Sequence, residues 1–332
     1  MLVRALAAGL ALSTALAQPQ GPIDPPRADL RLVVFGDFNG PYGSLDYPAA
    51  VARIVAAIVD VWRPELVLLP GDLVAGQSRA LADERFPAMW AAFDAAVAAP
   101  LRAAGIPYAA TMGNHDASKL RAAAGGYAFG RERDAAAAYW RDPGHLAGLD
   151  LADEDAYPFA WSFRLGPLFV AVIDASGPVV GEDERTWLRG TLRSPPARSA
   201  TLRWVMGHLP LLGIAEGRAR EGEVLWRAEE LRDLLLADAV DTYVSGHQAA
   251  FSAGRWGDLE LLFAGGVGAR RLLGADTPPR SVVTVVDVAF EPVSVRITAF
   301  DANDLTAFPS GALPQRLEAF GGTLARSGRM RD

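Results

Sequence analysis

The chain has 332 residues, 51% of them hydrophobic, and a formal net charge of -7, which is typical of a globular protein with one large domain or two small ones. The acidic balance disfavours a nucleic-acid-binding surface, because phosphate contacts require clustered lysine and arginine. The sequence contains no cysteine, which excludes disulfide frameworks, thiolate metal sites and cysteine nucleophiles. Any metal must therefore be held by oxygen and imidazole ligands, and the histidines available are His115, His145, His208 and His247.

The first segment of the chain has the pattern of a secretory signal peptide. Arg4 precedes a short stretch rich in alanine and leucine, and Ala15 and Ala17 form an A-x-A cleavage pattern. The alternative is a membrane anchor, but the apolar stretch is shorter than the ~20 residues that a spanning helix needs. We therefore expect a signal peptide over residues 1–17 and a proline-rich linker over 18–29. The mature protein would be exported, to a bacterial periplasm or the exterior, without a membrane span.

Short apolar runs that end in glycine and a polar residue recur from residue 30 onward. Runs of four to six β-branched or leucine residues are typical of strands that are buried on both faces of a sheet. The runs are LRLVVFGDF, ELVLLPGDL, PYAATMGNHD, LFVAVIDAS, LRWVMGHLP, DTYVSGHQA and LELLFAGGVGA.

Helical segments lie between these predicted strands. In PAAVARIVAAIVDVW, apolar residues recur at i, i+4, i+7 and i+11, as in a helix that packs one face against a sheet. The same spacing occurs over residues 86–97, and further helices are predicted around 184–193 and 224–238. Two alternating strands joined at Glu291-Pro292 form a predicted hairpin.

This order of elements predicts the fold class. Alternating strands and helices followed by a late hairpin favour an α/β domain of two mixed β-sheets, packed as a sandwich and flanked by helices. The domain is expected over residues 30–302. Residues 303–332 are weakly patterned and form a C-terminal tail that is either docked or loose.

Polar residues follow the apolar runs at the points where open α/β folds place their sites. Most of them follow a glycine, which lets the chain turn sharply. Any one of them taken alone is equally well explained as a cap or turn residue, and Asp174, which has no flanking glycine, is assigned that role. A series of strand ends of this kind favours metal-ligand chemistry. The candidates are Asp37, Asp72, Asn114, His115, Asp116, His208 and His247.

The series GDFNG, PGDLV, GNHDA, MGHLP and SGHQA resembles the motifs of the calcineurin-like metallophosphoesterases in order and spacing. That family carries D-x-H, G-D, G-N-H-D/E, a lone H and G-H-x-H at strand ends. The resemblance covers about residues 30–300 and implies a four-layer fold with a site for two metal ions. It implies that Asp72, Asn114, His208 and His247 hold one metal, with Asp72 as the bridging ligand. All four are present, and this mixed nitrogen and oxygen set suits Mn, Fe or Zn.

The other metal site implied by the resemblance is altered. Besides Asp37 and the bridging aspartate, it would use residues 39 and 249, which are Asn39 and Ala249 here. The tyrosine that purple acid phosphatases place three residues after the bridging aspartate is replaced by Ala75. Gln248 is a poor substitute, because adjacent residues in an extended chain point in opposite directions. We expect the second metal to bind weakly, only with substrate, or not at all, with Asn39 offering an amide oxygen at most.

The resemblance also implies catalytic roles. A bound metal lowers the pKa of its water and neutralises charge on phosphoryl oxygens. His115 would contact the phosphate and act as the general acid, and Asp116 is expected to orient its imidazole. The loop after His208 carries Arg218 and Arg220, which either form part of the substrate rim or are solvated.

Three further residues are interpreted with less specific roles. His145 follows a turn outside the motif series and is assigned to packing or to the surface. Tyr42 and Tyr47 either border the site or pack in the core.

Two functions follow from these residues. We favour an exported metal-dependent phosphoesterase that acts on a small phosphomonoester, phosphodiester or nucleotide. The alternative is a non-catalytic relative that binds a metal or a phosphorylated ligand, and a purely structural metal is a third interpretation.

Overall fold

The computed structural model describes residues 23–276 and 278–331. The predicted signal peptide and the first part of the predicted linker lie outside these residues. Within the described part of the chain, no helix combines the length and the apolar character needed to cross a membrane.

The described chain contains both strands and α-helices up to residue 264, and its later part is formed mainly by strands. The strands are β1 (Leu30–Val34), β2 (Leu66–Leu69), β3 (Tyr108–Ala110), β4 (Asp150–Ala156), β5 (Ala160–Leu165), β6 (Leu168–Val172), β7 (Leu202–Met206), β8 (Thr242–Ser245), β9 (Phe251–Trp256), β10 (Leu259–Ala264), β11 (Val282–Phe290), β12 (Val293–Asp301), β13 (Ala307–Phe308), β14 (Arg316–Ala319) and β15 (Gly322–Arg326). The helices are α1 (Ala49–Ala57), α2 (Arg85–Phe93), α3 (Ala99–Ala103), α4 (Asn114–Ala117), α5 (Gly130–Trp140), α6 (Glu182–Leu192), α7 (Pro195–Arg198) and α8 (Ala228–Ala237).

The strands form two mixed sheets. The six-stranded sheet has the order β13-β12-β11-β1-β2-β3, and the nine-stranded sheet has the order β14-β15-β9-β10-β8-β7-β6-β5-β4. Strands β1, β2 and β3 are parallel in the first sheet, and β6, β7, β8 and β10 are parallel in the second. The remaining pairs are antiparallel, so the predicted fold class, two mixed sheets in a sandwich flanked by helices, is confirmed.

The core is divided between the two faces of the six-stranded sheet. Leu32 and Leu68 belong to the apolar cluster that also contains the nine-stranded sheet, whereas Val33 and Val67 belong to the cluster under α1 and α2. Because successive strand side chains point to opposite faces, both faces of β1 and β2 are buried. This double burial explains why these strands are continuous apolar runs in the sequence.

The predicted helices are present, with shifted ends. The helix predicted over 184–193 spans Glu182–Leu192, and the one predicted over 224–238 spans Ala228–Ala237. The two apolar stripes lie on α1 and α2, and each of these helices continues as a π-helical segment, Ile58–Trp62 and Asp94–Ala98. The predicted hairpin is formed by β11 and β12.

Several strands have no apolar run and were not predicted. Strand β4, with the sequence DLADEDA, is the edge strand of the nine-stranded sheet, and its side chains are exposed or half-buried. Strand β9, FSAGRW, is largely buried but contains a glycine and an arginine. A search for continuous apolar runs detects strands that are covered on both faces, and it misses both of these kinds.

The segment after residue 302 adds strands to both sheets. Strand β13 pairs with β12 in the six-stranded sheet, and the β14–β15 hairpin pairs with β9 in the nine-stranded sheet. This segment is therefore docked, which is one of the two alternatives that the sequence left open.

A buried arginine holds the described part of the proline-rich segment on the domain. The side chain of Arg31 is fully buried, with Nε 2.9 Å from Asp287 Oδ1 and Nη2 3.2 Å from Asp287 Oδ2. The same guanidinium bonds to the Asp24 carboxylate and donates to the Pro25 carbonyl oxygen at 2.6 Å. Because a buried charge without its partner is strongly unfavourable, this pair fixes the start of β1 against β11.

We expect Asp287→Ala to lower the free energy of unfolding by about 3 kcal/mol, because it leaves the buried guanidinium without its main partner. Urea denaturation followed by circular dichroism measures this change. Arg316→Ala is the control, since its ion pair with Glu318 is exposed on both sides and its loss should leave the transition unchanged. Equal midpoints for the wild type and Asp287→Ala would contradict the role given to the buried pair.

Candidate metal centre

The carboxyl ends of parallel strands from both sheets meet at one place. Asp37, Asp72 and Asn114 follow β1, β2 and β3, while His208 and His247 follow β7 and β8. Parallel strands present their carboxyl ends at the same edge of a sheet, and the sandwich brings the two edges together. The structure therefore brings these five predicted residues together.

The turns at these strand ends approach each other closely because glycine lacks a side chain. A Cβ atom built on Gly71 would lie 2.6 Å from His208 Nδ1 and 2.8 Å from the backbone nitrogen of Gly113. A Cβ atom on Gly246 would lie 2.6 Å from the carbonyl oxygen of Pro70. A Cβ atom does not approach other heavy atoms this closely, so a side chain at either position would force the neighbouring turns apart.

Four ligand atoms converge at this meeting point. Asn114 Oδ1 lies 3.0 Å from His208 Nε2 and 2.9 Å from His247 Nδ1. His208 Nε2 lies 3.3 Å from Asp72 Oδ1. The ligand atoms of Asp72, His208 and His247 all lie within 4.8 Å of one another, and all three residues are buried.

The other ring nitrogen of each histidine is bonded to an acceptor. His208 Nδ1 lies 2.8 Å from the carbonyl oxygen of Pro70, and His247 Nε2 lies 2.8 Å from Glu223 Oε2. A ring nitrogen that faces a carbonyl or carboxylate oxygen donates its proton to it, so the opposite nitrogen of the neutral ring carries a lone pair. Both lone pairs are therefore directed to the meeting point, as in metal sites where a carboxylate or carbonyl orients a ligating histidine.

The oxygen ligands are oriented in the same way. The amide group of Asn114 donates through Nδ2 to Gln77 Oε1 at 2.7 Å, which directs its Oδ1 toward the histidines. Asp72 Oδ1 accepts a hydrogen bond from the backbone N–H of His115 at 2.9 Å. Each ligand side chain is thus held in place by a neighbouring group.

Burial and the neighbouring charges set the protonation of the three clustered side chains Asp72, His208 and His247. Burial disfavours the ionised Asp72 carboxylate, but His208 and His115 outweigh this and hold its pKa well below the usual range. Burial lowers the pKa of His247 to about 4, so this imidazole is neutral near pH 7. Burial opposes the charged form of His208, yet the carboxylates of Asp72 and Asp37 raise its pKa to about 9. A metal would therefore displace a proton from His208 on binding.

These residues fit one divalent metal ion. A carboxylate, an amide oxygen and two imidazoles form a four-ligand set of the type that Mn, Fe or Zn takes. Once His208 has lost its proton, the lone pairs of Asn114 Oδ1, His208 Nε2 and His247 Nδ1 point at one another, an arrangement that a bound cation stabilises.

On the side of Asp37, the described residues offer fewer clustered ligand atoms than the first site does. Asp37 Oδ1 accepts from the backbone N–H of His247 at 2.8 Å, while Oδ2 is buried without a hydrogen-bond partner among the described residues. Burial raises the pKa of this carboxyl to about 7. Asn39 faces the same cavity, but its Nδ2 donates to the Gly40 carbonyl oxygen at 3.4 Å, and Ala249 has no ligand atom. Within the described residues, the clustered metal-ligating side chains are those of the first site.

Asp116 does not orient His115, which corrects the prediction from the sequence. The Asp116 carboxylate is buried at the start of the short helix α4 and accepts hydrogen bonds at 2.7–2.8 Å from three backbone N–H groups, those of Leu73, Val74 and Gly113. The first N–H groups of a helix and the adjoining turn have no other acceptor, and this carboxylate satisfies them. The His115 ring is instead fixed by its Nδ1, which lies 3.1 Å from the carbonyl oxygen of Gly76.

The two predicted arginines are placed differently. Nη1 of Arg218 lies 3.1 Å from both ring nitrogens of His247 and donates to the carbonyl oxygen of the same residue at 2.7 Å. Arg220 is 70% exposed, bonds to Glu223 Oε1 at 3.2 Å, and lines neither of the cavities beside the cluster. Arg218 is therefore part of the site, and Arg220 is not.

Three other residues considered in the sequence analysis, His145, Asp174 and Gln248, stabilise the fold and do not join the cluster. His145 is buried and bonds to the Tyr108 hydroxyl at 2.7 Å, and Asp174 forms a buried ion pair with Arg133 at 2.8 Å. Gln248 is buried and points away from the cluster, accepting from the backbone N–H of Ile214 at 3.0 Å. These three side chains serve packing and loop structure.

Of the two tyrosines, one borders the site. The Tyr42 ring stacks on the His115 imidazole with 5.3 Å between ring centroids, and it is 62% exposed. Tyr47 packs against Phe38 and donates its hydroxyl to the carbonyl oxygen of Leu73 at 2.8 Å. Tyr42 can therefore contact a ligand, whereas Tyr47 belongs to the core.

Three residues of the site were not predicted: Gln77, Glu223 and Arg270. Glu223 is the last residue of the polar loop after His208, and Gln77 lies five residues after Asp72. Arg270 follows the run LELLFAGGVGA and lies in the loop six residues after the end of β10. The sequence offers no pattern for Gln77 and Glu223, but the position of Arg270 after a predicted strand was a usable signal.

Two cavities flank the cluster and share His115, Arg218 and His247. One has a volume of about 320 Å³ and is lined in addition by Asp37, Asn39, Asp72, Ala249, Gly268, Ala269 and Arg270. The other has a volume of about 410 Å³ and is lined in addition by Tyr42, Gln77, Asn114, Ser118, Leu120, Ser176, Gly177, Pro178, Leu209, Gly222 and Glu223. A ligand bound at the cluster thus has room on both sides.

Glu223→Gln should weaken metal binding by about 10- to 100-fold, because the carboxylate that orients His247 becomes a neutral amide. Burial opposes ionisation of Glu223, but the hydrogen bond from His247, which is its strongest interaction, lowers its pKa to about 2. Titration with Mn followed by calorimetry measures the affinity. Glu221→Gln, which removes the same charge from an exposed position of the same loop, is the matched control. Equal affinities in both variants would contradict the orienting role.

The sequence matches the family model described as calcineurin-like phosphoesterase over residues 30–251. No curated protein matches the sequence significantly. The match covers more than half of the chain and contains all the strand ends that supply the cluster.

Solved structures with a similar fold include a purple acid phosphatase isolated from yellow lupin (Lupinus luteus) seeds, with a TM-score of 0.60 and 17% identity. That alignment covers 87% of this chain and 54% of the phosphatase, so the chain spans about half of its length. A dimetal phosphatase from Danio rerio has a TM-score of 0.51 and 16% identity over 90% of this chain and 99% of that chain. The anchor protein of the Plasmodium inner membrane complex has a TM-score of 0.54 and 14% identity over 91% of both chains.

At these identities the solved structures show a common fold, and the family model matched over residues 30–251 shows the family. The chain belongs to the calcineurin-like phosphoesterase family.

Proposed function

We propose that this protein is a metal-dependent phosphoesterase that hydrolyses phosphomonoesters or phosphodiesters with one tightly held metal ion. The observation that carries the proposal is the convergence of four oriented ligand atoms between two cavities, next to a histidine that can transfer a proton. Family membership supports the same reaction class.

The metal would be held by Asp72, Asn114, His208 and His247. When bound there, a divalent ion would provide a nucleophilic hydroxide near neutral pH and neutralise charge on the phosphoryl oxygens. The ring of His247 is neutral, that of His208 would become neutral on metal binding, and the buried Asp72 carboxylate would offset part of the charge of the ion.

His115 is the candidate general acid. It lines both cavities, and its Nδ1 donates to the Gly76 carbonyl oxygen, which leaves Nε2 free of that bond. In the doubly protonated ring, the Nε2–H group would donate its proton to a leaving oxygen. Tyr42 stacks on the ring and restricts its rotation. His115 can therefore serve a leaving group in either cavity.

A turnover screen with p-nitrophenyl phosphate and its bis-ester, with Mn, Fe or Zn added, tests the proposal. We expect hydrolysis of at least one ester. His208→Ala should lose both metal and activity, whereas His115→Ala should keep the metal and lose about 10²- to 10⁴-fold in kcat, the contribution of a general acid. Metal content measured on the same samples separates the two effects.

The alternative is a family member that binds a metal or a phosphorylated ligand without turnover, and the altered residues Asn39 and Ala249 favour it. The similar Plasmodium structure is described as an anchor. The decisive result would be one bound metal per chain together with no hydrolysis of either ester with any of the three metals. This result would establish the binding function and overturn the proposed phosphoesterase activity.

We also propose that the protein is exported, which the signal-peptide pattern in residues 1–17 supports. Expression of the full chain in a bacterial host should give a mature protein that begins near residue 18. Intact-mass spectrometry of the periplasmic fraction measures the cleavage. An uncleaved chain retained in the membrane would instead favour a membrane anchor over a cleaved signal peptide.

A further inference from the structure

We propose that Arg218 and Arg270 form an anion subsite in place of the second metal ion and bind the phosphoryl oxygens of the substrate. The proposal rests on the phosphoesterase function and names the groups that bind the phosphate. The subsite would lie on the Asp37 side of the cluster, where Asn39 and Ala249 occupy the positions of two ligands of a second metal.

Arg270 is fixed directly beside the altered ligand position. Its backbone N–H donates to the carbonyl oxygen of Ala249 at 2.7 Å, which ties the loop after β10 to the turn after β8. A Cβ atom built on Gly217 would lie 3.6 Å from Nη1 of Arg270, so the guanidinium reaches the residue that precedes Arg218. Both arginines line the 320 Å³ cavity that also contains Asp37 and Asp72.

Both guanidinium groups line the cavity, and Arg218 donates through Nη1 to the His247 carbonyl oxygen at 2.7 Å. Arg270 makes no side-chain hydrogen bond to any other residue that the structure describes, so its donors are available to a ligand. Both positive charges lie at this one cavity, where burial and then the charge of Arg218 lower the pKa of Arg270. A bound anion would offset these two charges, and the planar guanidinium is suited to phosphate because it donates two parallel hydrogen bonds.

The same charges act against a second metal. Two cationic groups at one cavity raise the energy of a further divalent cation there, while the carboxylates of Asp37 and Asp72 are the ligands that remain. Electrostatic stabilisation of phosphoryl oxygens by arginine is an established substitute for part of what a metal supplies. Replacement of the second metal by two arginines would therefore explain both the presence of Asn39 and Ala249 at its ligand positions and the presence of Arg218 and Arg270.

Calorimetric titration of the metal-loaded protein with inorganic phosphate tests the subsite without any need for turnover. Arg270→Gln should weaken phosphate binding about tenfold, the effect of losing a charge-assisted hydrogen bond, and leave one metal per chain. Arg270→Lys should recover part of the affinity, because it restores the charge but not the paired donors. Arg271→Gln is the matched control, since it removes the same charge from the next residue, whose side chain bonds to the Ala275 carbonyl oxygen at 3.4 Å.

Phosphate binding by Arg270→Gln equal to that of the wild type would overturn the proposal, as would two metals per chain in the wild type. Arg218→Lys gives a second measurement at the other arginine, and its phosphate affinity should fall in the same direction. An inactive protein whose phosphate binding still depends on Arg270 would support the subsite while overturning the enzyme function. An active protein whose phosphate binding does not depend on either arginine would support the enzyme function and overturn the subsite.

Discussion

The site depends on how closely the turns at the strand ends pack against each other. The Gly71 backbone lies so near His208 and Gly113 that a methyl group would overlap both. This contact sets the separation between the edge of the six-stranded sheet and the edge of the nine-stranded sheet. Because the ligands come from both edges, their distances follow from the glycine contacts rather than from the ligand side chains themselves.

The same turns require unfavourable backbone conformations. Asp37, Asp72, Gln77, His247 and Ala249 all have positive φ angles, between 47° and 67°. Each costs about 1 kcal/mol for a residue with a side chain, and such residues persist where the surrounding structure fixes them. Their concentration around one cluster indicates that the position of the side chains at this site is maintained at the expense of stability.

Much of the fold and of the metal cluster could be predicted from the sequence. Strands that are buried on both faces leave continuous apolar runs, and parallel strands bring their carboxyl ends together, so Asp72, Asn114, His208 and His247 were found from local patterns. The direction of a side chain within a turn is not a local property. The position of Asp116 next to His115 predicts a contact between their side chains, but backbone N–H groups without another acceptor take up the carboxylate. Glu223 reaches the cluster only through the path of a loop, which the sequence does not reveal.

That loop, residues 213–223, is bonded to the turn after β8 at both of its ends. Gln248 accepts from Ile214 and Ala215 at its start and donates to the Glu223 carbonyl oxygen at its end, while the Glu223 carboxylate bonds to His247. The affinity of His247 for a metal and the ordering of this loop would therefore be thermodynamically linked, and each would change the other by the same free energy. A sequence change in the loop would then alter metal occupancy without touching a ligand. A metal bound by His247 would, in turn, help to order one wall of the cavity beside the cluster.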